Sequence, residues 1–302
     1  MAEPIHILIT GGAGQVGLEL ARAAWPPEVV LHMPTRQEMD LQDEVSVTAV
    51  FEATPLRAVI NAAAYTAVDR AESEVADAFA ANALGPAILA DLTRKAGVPL
   101  IQVSTDYVFD GRADRPYTEV DPVAPLGVYG ASKLAGELAV RCGNPRSVVL
   151  RTAWVLSPHR SNFLKTMLRL AGERSSINVV GDQWGCPTAA RDIATVLAHI
   201  ALRLIQDAGA PTGIYHFVNA GETTWAGLAG EIFRASRELD GAYAQVEEIP
   251  TAAFPTPAKR PGNSRLSCEK LARDYQVTPR AWEAAVGEIV SELSLAGQKG
   301  RR

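Results

Sequence analysis

The chain has 302 residues, of which 47% are hydrophobic and 21% charged, and its 29 basic and 34 acidic residues leave a net charge of −5. This composition is typical of a protein with a large buried core and excludes a disordered chain. The acidic balance disfavours nucleic acid and anionic membranes as partners. No uninterrupted apolar run approaches the ~18 residues of a membrane span. No basic segment precedes the first apolar run, so we expect a cytoplasmic protein without a signal peptide.

Short apolar runs alternate with helical segments through the first half of the chain. Strands are predicted at residues 5–9, 29–33, 58–60, 100–103 and 148–150. Helices are predicted at 16–24, at 75–96 with a break near Gly85 and Pro86, and at 129–141. Strands rich in β-branched residues that alternate with helices indicate a parallel sheet with helices on both faces. The predicted fold class is therefore α/β, a Rossmann-type doubly wound sheet.

The second half shows the same alternation with weaker order. Strands are predicted at 214–218 and 246–249, and helices at 161–171, 190–205, 225–239 and 282–295. We expect residues 1–157 to form a dinucleotide-binding domain, with a returning segment near 190–220. Residues 158–302 are expected to form mainly a smaller C-terminal substrate-binding domain, with the segments of the two domains interleaved.

Glycines follow the first predicted strand directly. The sequence TGGAGQVG at 10–17 places Gly11, Gly14 and Gly17 in the pattern G-x-x-G-x-x-G. The first glycine permits a tight turn, the second lets a pyrophosphate approach the backbone, and the third allows close helix packing. The helix N-terminus then presents its positive end to the phosphates. This segment predicts a dinucleotide site, and the alternative is an ordinary strand–helix turn.

The segment after the second predicted strand bears on the choice of cofactor. An acid there would bond the ribose 2′-hydroxyl of NADH, whereas an arginine suits the 2′-phosphate of NADPH. The segment contains Arg36, which favours NADPH and leaves NADH possible, with a solvated surface arginine as the alternative. Asp40 and Leu41 follow and are placed to border the adenine.

A tyrosine and a lysine lie four residues apart in the predicted helix 129–141. Tyr129 and Lys133 therefore share one helix face. Because an ammonium favours a nearby phenolate, we expect Lys133 to lower the pKa of Tyr129 from about 10 toward neutrality. Tyr129 would then be a general acid and base. Thr105 follows the fourth predicted strand, at the sheet edge where ligands of such folds bind. The alternative is a core Tyr129 and a turn-capping Thr105.

Together these motifs resemble the extended short-chain dehydrogenase/reductase family. Further segments are similar to those of its dTDP-4-dehydrorhamnose reductases, and the resemblance runs from residue 10 to about residue 270. The matching segments are NAAAYTAVD at 61–69, STDYVFDG at 104–111, NF at 162–163, DQ at 182–183, PT at 187–188, RP at 260–261 and NSRL at 263–266.

The resemblance implies a role for individual residues. It implies cofactor contacts from Gly14, Gln15 and Val16 at the pyrophosphate, from Asp40 and Leu41 at the adenine, from Ala64, Tyr65 and Thr66 along the middle, and from Tyr129 and Lys133 at the nicotinamide ribose. It implies substrate contacts from Thr105, Asp106, Trp154 and Arg260. The alternatives are core packing for Trp154 and a surface charge for Arg260.

The implied reaction is the NADPH-dependent reduction of the C4 ketone of a nucleotide sugar, dTDP-4-dehydro-L-rhamnose, to dTDP-L-rhamnose. Tyr129 would donate the proton, Lys133 would tune Tyr129 and hold the ribose, and Thr105 would bond the reacting oxygen. The alternatives are a nucleotide-sugar epimerase or dehydratase, or a non-catalytic regulatory subunit with this fold. Dehydratases of this family place Asp-Glu after the threonine, whereas this chain has Asp106 and Tyr107.

The sequence predicts no metal site. Three widely spaced cysteines and five scattered histidines form no cluster with ligand spacing. Some members of the family dimerise through a magnesium ion held in part by an acidic residue just after the Pro-Thr segment. This chain has Arg191 there, and a cationic side chain is no ligand for Mg²⁺. A metal-bridged dimer is therefore disfavoured, and the oligomeric state stays open.

Overall fold

The computed structural model describes residues 3–299 of the chain. Its strands, in chain order, are β1 (Ile5–Thr10), β2 (Val29–His32), β3 (Leu56–Asn61), β4 (Leu100–Thr105), β5 (Ser147–Thr152), β6 (Val155–Leu156), β7 (Ser176–Val180), β8 (Trp184–Gly185), β9 (Thr188–Ala189), β10 (Gly213–His216), β11 (Thr223–Thr224) and β12 (Gln245–Ile249). Its helices are α1 (Gln15–Arg22), α2 (Glu44–Ala53), α3 (Val68–Ala71), α4 (Val75–Phe79), α5 (Gly85–Ala96), α6 (Val128–Gly143), α7 (Phe163–Ala171), α8 (Ala190–Gln206), α9 (Trp225–Arg237), α10 (Glu269–Tyr275) and α11 (Trp282–Lys299).

A six-stranded sheet organises the first half of the chain. Its strands lie in the order β10-β5-β4-β3-β1-β2, and every neighbouring pair is parallel. The chain leaves β1 for β2 on one side and returns to β3 on the other. Ligands of open α/β sheets bind beyond the carboxyl ends of the strands at such a reversal.

Alternate residues of β1 are buried on opposite faces of this sheet. Ile7 and Ile9 pack with Leu20 of α1 and Leu197 of α8. Leu8 points to the other face, among residues of α2, α5 and α6. Because successive side chains of a strand alternate, one apolar run supplies two cores. The predicted doubly wound α/β fold is confirmed, and each predicted strand of the sheet in the first half lies within two residues of its predicted bounds.

A second packing region is built from α7, α9, α11 and the parallel pair of β7 with β12. Its core includes Leu164, Ile177, Phe233 and Ile289, each at most 6% exposed. We call this region the substrate half, and the six-stranded sheet with α1, α2, α5, α6 and α8 the cofactor half. We propose that the two halves are the two predicted domains. On that division α8 and β10 form the returning segment.

The helical run from Val75 to Ala96 differs from its prediction. The expected break at Gly85 and Pro86 is wrong, because a π-helical turn at Ala80–Leu84 joins α4 to α5 and Pro86 lies in the first turn of α5, where a missing N–H is tolerated. By length and composition alone, with a mean hydropathy of 1.3, this run is the one helix among residues 3–299 that could cross a membrane. Charged residues interrupt it, and α5 packs between α2 and α6 with Leu89 fully buried.

Candidate active site

A cleft of about 670 Å³ lies at the carboxyl ends of the central strands. Its volume is within the range of about 300–1,000 Å³ that is usual for sites of small molecules and cofactors. Most of the predicted site residues line it, namely Gly11, Gly14, Gln15, Val16, Arg36, Asp40, Leu41, Ala64, Thr66, Thr105, Asp106, Tyr129, Lys133 and Trp154. The structure thus brings residues from six separate chain segments to one site.

The glycine loop leaves room for a phosphate group. Gly11 has a φ of +70°, and a Cβ there would come 2.5 Å from the backbone nitrogen of Ala63. Gly14 caps α1 without a side-chain hydrogen bond, so the N–H groups of the first turn are available to an anion. Gly17 is not part of the cleft lining, and a Cβ on it would overlap the Gly11 carbonyl oxygen. Its role is to let α1 approach the loop.

The cleft lining also includes the residues predicted at the ribose and adenine, namely Arg36, Asp40 and Leu41. The Arg36 side chain is 77% exposed, and its nearest carboxylate is that of Asp40 at 3.9 Å. Such a loose, solvated pair leaves the guanidinium available to a phosphate. Tyr65 lies outside the cleft lining, because its hydroxyl donates to Glu74.

Tyr129 occupies the first turn of α6. Its ring meets the edge of Tyr107 with 5.4 Å between ring centroids. Desolvation raises the pKa of Tyr129 above its usual value, and the Thr105 hydroxyl beside it opposes that shift. The prediction that the pKa of Tyr129 falls toward neutrality is therefore wrong for this structure.

Lys133 is also buried, and a backbone carbonyl accepts a hydrogen bond from it. The Lys133 ammonium donates to the Val103 carbonyl at 2.7 Å, and the whole residue is 4% exposed. Burial lowers the pKa of Lys133 to about 8, and the negative charge of Glu137 acts in the opposite direction. The pattern Tyr-x-x-x-Lys does not indicate how deeply either side chain is buried. The sequence therefore could not show whether desolvation or the charge of Lys133 would determine the pKa of Tyr129.

A buried ion pair beneath the cleft was missed in the sequence. Arg151 donates twice to Glu137, at 2.9 and 2.6 Å, and both side chains are at most 2% exposed. Ser104, at the end of β4, donates to the same carboxylate at 2.5 Å. Glu137 lies one helical turn after Lys133 and therefore on the same helix face. That spacing was the one sequence feature that could have placed Glu137 near the site. Arg151 lies in β5 and had no such feature.

Two buried polar groups in the cleft lack partners. Asp106 accepts the Thr105 hydroxyl at 3.0 Å through one carboxylate oxygen, and the other oxygen has no hydrogen-bond partner among the described residues. Burial raises the pKa of Asp106 to about 6, and the side chains of Ser264 and Thr105 oppose that shift. The hydroxyl of Thr152, opposite Thr105 in the register of β4 with β5, is likewise buried and unpartnered within that part of the chain. Unsatisfied polar groups of this kind call for a polar ligand.

Trp154 is packed in the core and also lines the cleft, and its predicted contact with substrate stays a prediction. It lines the cleft and is only 9% exposed, and its indole stacks on Trp225 with centroids 3.6 Å apart. A Cβ on Gly185 would overlap the indole, so a glycine is needed beneath it. The φ of Trp154 is +48°, a strained value that packing on both faces holds in place.

Arg260 lies outside the lining of the cleft. Its guanidinium donates to the Tyr107 hydroxyl at 2.9 Å and to Asp69 at 2.8 Å. The residue is therefore no free surface charge, since it joins the 251–262 loop to the segment after β3. Its predicted contact with substrate stays a prediction.

The position of Arg191 bears on the metal. Arg191 pairs with Glu292 at 2.8 Å and lies 3.5 Å from the buried carboxylate of Glu19, while Arg22 pairs with Glu292 at 2.9 Å. Within residues 3–299, no group of three His, Cys, Asp or Glu side chains is arranged to hold a metal ion. Arginine side chains therefore surround the carboxylates of Glu19 and Glu292.

The reversing parallel sheet, the glycine loop and the Thr105, Tyr129 and Lys133 group define an extended short-chain dehydrogenase/reductase. The family model described as RmlD substrate binding domain matches residues 5–295, and the chain belongs to this family. A dTDP-4-dehydrorhamnose reductase of Sinorhizobium fredii is 42% identical over 295 residues, which are 97% of this chain and 99% of the relative.

Solved structures give the same result. The crystal structure of a dTDP-4-dehydrorhamnose reductase from Clostridium acetobutylicum superposes with a TM-score of 0.88 at 36% identity and covers 96% of this chain and 99% of that chain. The enzyme of that name from Bacillus anthracis, in complex with NADP, gives a TM-score of 0.89 at 32% identity with the same coverage.

Proposed function

We propose that the protein reduces the C4 ketone of dTDP-4-dehydro-L-rhamnose with NADPH and gives dTDP-L-rhamnose, in the biosynthesis of this nucleotide sugar. The observation that carries the proposal is the meeting of Thr105, Tyr129 and Lys133 with the glycine loop in one cleft. The family and the names of relatives that match over nearly their whole length support the same reaction.

The residues of the cleft fit NADPH. The open backbone of Gly14, Gln15 and Val16 at the start of α1 suits the pyrophosphate, and the exposed guanidinium of Arg36 suits the 2′-phosphate. Asp40 and Leu41 would border the adenine, and Ala64 and Thr66 the middle of the cofactor. When bound, the nicotinamide supplies the hydride. NADH stays possible as a weaker cofactor, because it lacks only the 2′-phosphate.

Tyr129 supplies the proton. With its pKa above the usual value of a phenol, Tyr129 is protonated at neutral pH, which is the state that a proton donor needs. It donates to the C4 oxygen as negative charge develops there. Lys133, whose pKa is about 8, is mainly cationic at pH 7. Its positive charge would offset part of the cost that desolvation imposes on the phenolate of Tyr129 once the proton has left. Lys133 also binds the nicotinamide ribose in this proposal.

The substrate would meet Thr105, Asp106 and Trp154. The single proton of the Thr105 hydroxyl is donated to Asp106 in the structure, so Thr105 must change partner to bond the C4 oxygen. The unpartnered oxygen of Asp106 is available to a sugar hydroxyl. The stacked indole of Trp154 offers an apolar wall. Arg260 would take the substrate pyrophosphate by exchanging its present acceptors.

The test is to follow NADPH absorbance with the purified chain and a panel of nucleotide 4-keto-sugars. We expect the highest kcat/KM with dTDP-4-dehydro-L-rhamnose and a dTDP-L-rhamnose product. Failure to oxidise NADPH with any 4-keto-sugar, despite normal binding of NADPH, would favour the non-catalytic alternative. A much higher kcat/KM with another sugar or base would overturn the substrate assignment. We further propose that the reaction takes place in the cytoplasm.

A further inference from the structure

Arg160 belongs to none of the groups considered so far. It lines the same cleft and lies in the loop between β6 and α7, far in sequence from the glycine loop. Its φ is +55°, the left-handed region that disfavours side chains other than those of Gly, Asn and Asp. A long cationic side chain in a strained backbone position at the rim of a ligand cleft needs a reason.

The side chain of Arg160 is anchored on the glycine loop. Its Nε donates to the Ala13 carbonyl at 2.7 Å, and Ala13 lies between Gly11 and Gly14. A second hydrogen bond joins the same two segments, because the Asn162 side chain donates to the side-chain oxygen of Gln15 at 2.8 Å. The loop that carries Arg160 is thus fixed against the segment proposed to bind the pyrophosphate.

The rest of the guanidinium is available to a ligand. Arginine has five N–H donors in a rigid fork, and the Nε bond uses one of them. Within the described part of the chain, no carboxylate lies within 4 Å of Arg160 to neutralise it. Planar guanidinium groups bind phosphate oxygens through paired hydrogen bonds.

We propose that Arg160 binds the pyrophosphate of the dinucleotide cofactor from the side opposite α1. This inference rests on the proposed NADPH site. It adds to that site one cationic side chain, which comes from a segment without a glycine motif. Arg36 lies after β2, in the segment assigned to the ribose, and is the candidate for the 2′-phosphate. The two arginines should therefore have different effects: Arg160 acts on NADPH and NADH alike, and Arg36 acts on NADPH alone.

The test measures equilibrium binding without turnover, by the fluorescence of NADPH and NADH. Arg160→Gly is the informative variant, because glycine adopts a φ of +55° without strain. The backbone conformation at 160 is kept and Asn162 still holds the loop to Gln15, while the guanidinium and its bond to Ala13 are removed. We expect the Kd of both cofactors to rise by the same factor, about tenfold to a hundredfold, as for the loss of charge-assisted hydrogen bonds. Arg36→Ala should raise the Kd of NADPH by a similar factor and leave that of NADH unchanged.

Arg169→Ala controls for the loss of one positive charge, since Arg169 lies in α7 and pairs with Glu173 outside the cleft. It should leave both affinities unchanged. Unchanged affinities in Arg160→Gly would overturn the inference, and weakened binding of NADPH alone would move Arg160 to the 2′-phosphate and overturn it as well. Thermal unfolding without cofactor checks that Arg160→Gly is folded. If it is not, Arg160→Gln, which keeps a long polar side chain without the charge, takes its place in the same binding measurement. Failure of the parent chain to bind NADPH would instead refute the proposed function.

Discussion

The two halves of the molecule bring their residues together in different ways. The cofactor half uses successive strands of one parallel sheet, so its motifs are short and contiguous, such as the glycine loop directly after β1. The substrate half joins distant segments: β7 pairs with β12 some seventy residues later, with Ser176 opposite Gln245. Chemistry common to many reductases is therefore visible in local sequence, whereas the packing of the substrate half depends on contacts that only the fold creates.

The largest expected effect belongs to the cofactor half. Tyr129→Phe should lower kcat by about 10² to 10⁴-fold, because general acid catalysis contributes that much. The affinity for NADPH should change little, because the ring remains. Tyr243→Phe, at a half-exposed tyrosine of the substrate half, is the matched control and should leave kcat unchanged. Near-normal kcat in Tyr129→Phe would show that another group is the acid.

The same contrast explains which strands and helices could be predicted from the sequence. The strands of the sheet were predictable because their apolar runs are buried on both faces, as Ile7 and Leu8 show. Helix α2 was missed because its valines and threonine favour strands, although the Asp43 side chain caps its first turn. Strand β7 was missed because its run, Ser176–Val180, is short, and its buried residues Ile177 and Val179 are covered by distant segments that include α9.

The site shows the same limit. Gly11, Tyr129 and Lys133 were predictable because their spacing in the chain carries the chemistry. The link between Arg160 and the glycine loop, and the burial that sets the pKa of Tyr129, depend on segments that are distant in sequence. No local pattern encodes a contact across some 150 residues.

Two aspartates, one from each half, should respond to pH with opposite signs. Burial raises the pKa of Asp106 to about 6, so the folded state binds more protons than the unfolded state between about pH 4 and 6. Stability attributed to Asp106 should therefore fall as pH rises through that window, by up to about 3 kcal/mol relative to Asp106→Asn.

Asp182 in the substrate half shows the opposite behaviour. Hydrogen bonds from Thr251 lower the pKa of this carboxyl, so its contribution is present at neutral pH and is lost as pH falls below the usual range of an aspartate. Urea unfolding of the parent chain, Asp106→Asn and Asp182→Asn at several pH values measures both signs. A difference between parent and Asp106→Asn that does not vary with pH would refute the burial of a charged Asp106.

Replacing one helical glycine in each half should change the free energy of unfolding in opposite directions. A Cβ on Gly17 in α1 would overlap backbone atoms of the glycine loop, whereas a Cβ on Gly230 in α9 would meet nothing within 4 Å. Gly17→Ala should therefore destabilise the fold by about 1–3 kcal/mol. Gly230→Ala should stabilise it by about 0.5–1 kcal/mol, because alanine is the better helix former. Urea unfolding should give opposite signs, and a stable Gly17→Ala would argue against the close approach of α1.

The smallest expected effect is that of metal removal. Excess EDTA should leave activity unchanged, because Arg191 and Arg22 already neutralise the carboxylates of Glu19 and Glu292. The assay compares initial rates before and after chelation, with added Mg²⁺ as the control. Loss of activity that Mg²⁺ restores would reveal a metal site assembled by another copy or by distant carboxylates.

The central claim is that the site performs one hydride and one proton transfer at C4 and then releases its oxidised cofactor. Epimerases and dehydratases recycle the cofactor in place, and a dehydratase needs a second group to act at C5. The decisive measurement is the reaction in D₂O with dTDP-4-dehydro-L-rhamnose, scored for NADPH oxidised and for deuterium in the product. We predict one NADPH consumed per product and no enzyme-dependent deuterium at C5. Turnover without net oxidation of NADPH, or enzyme-dependent exchange at C5, would contradict the reductase mechanism.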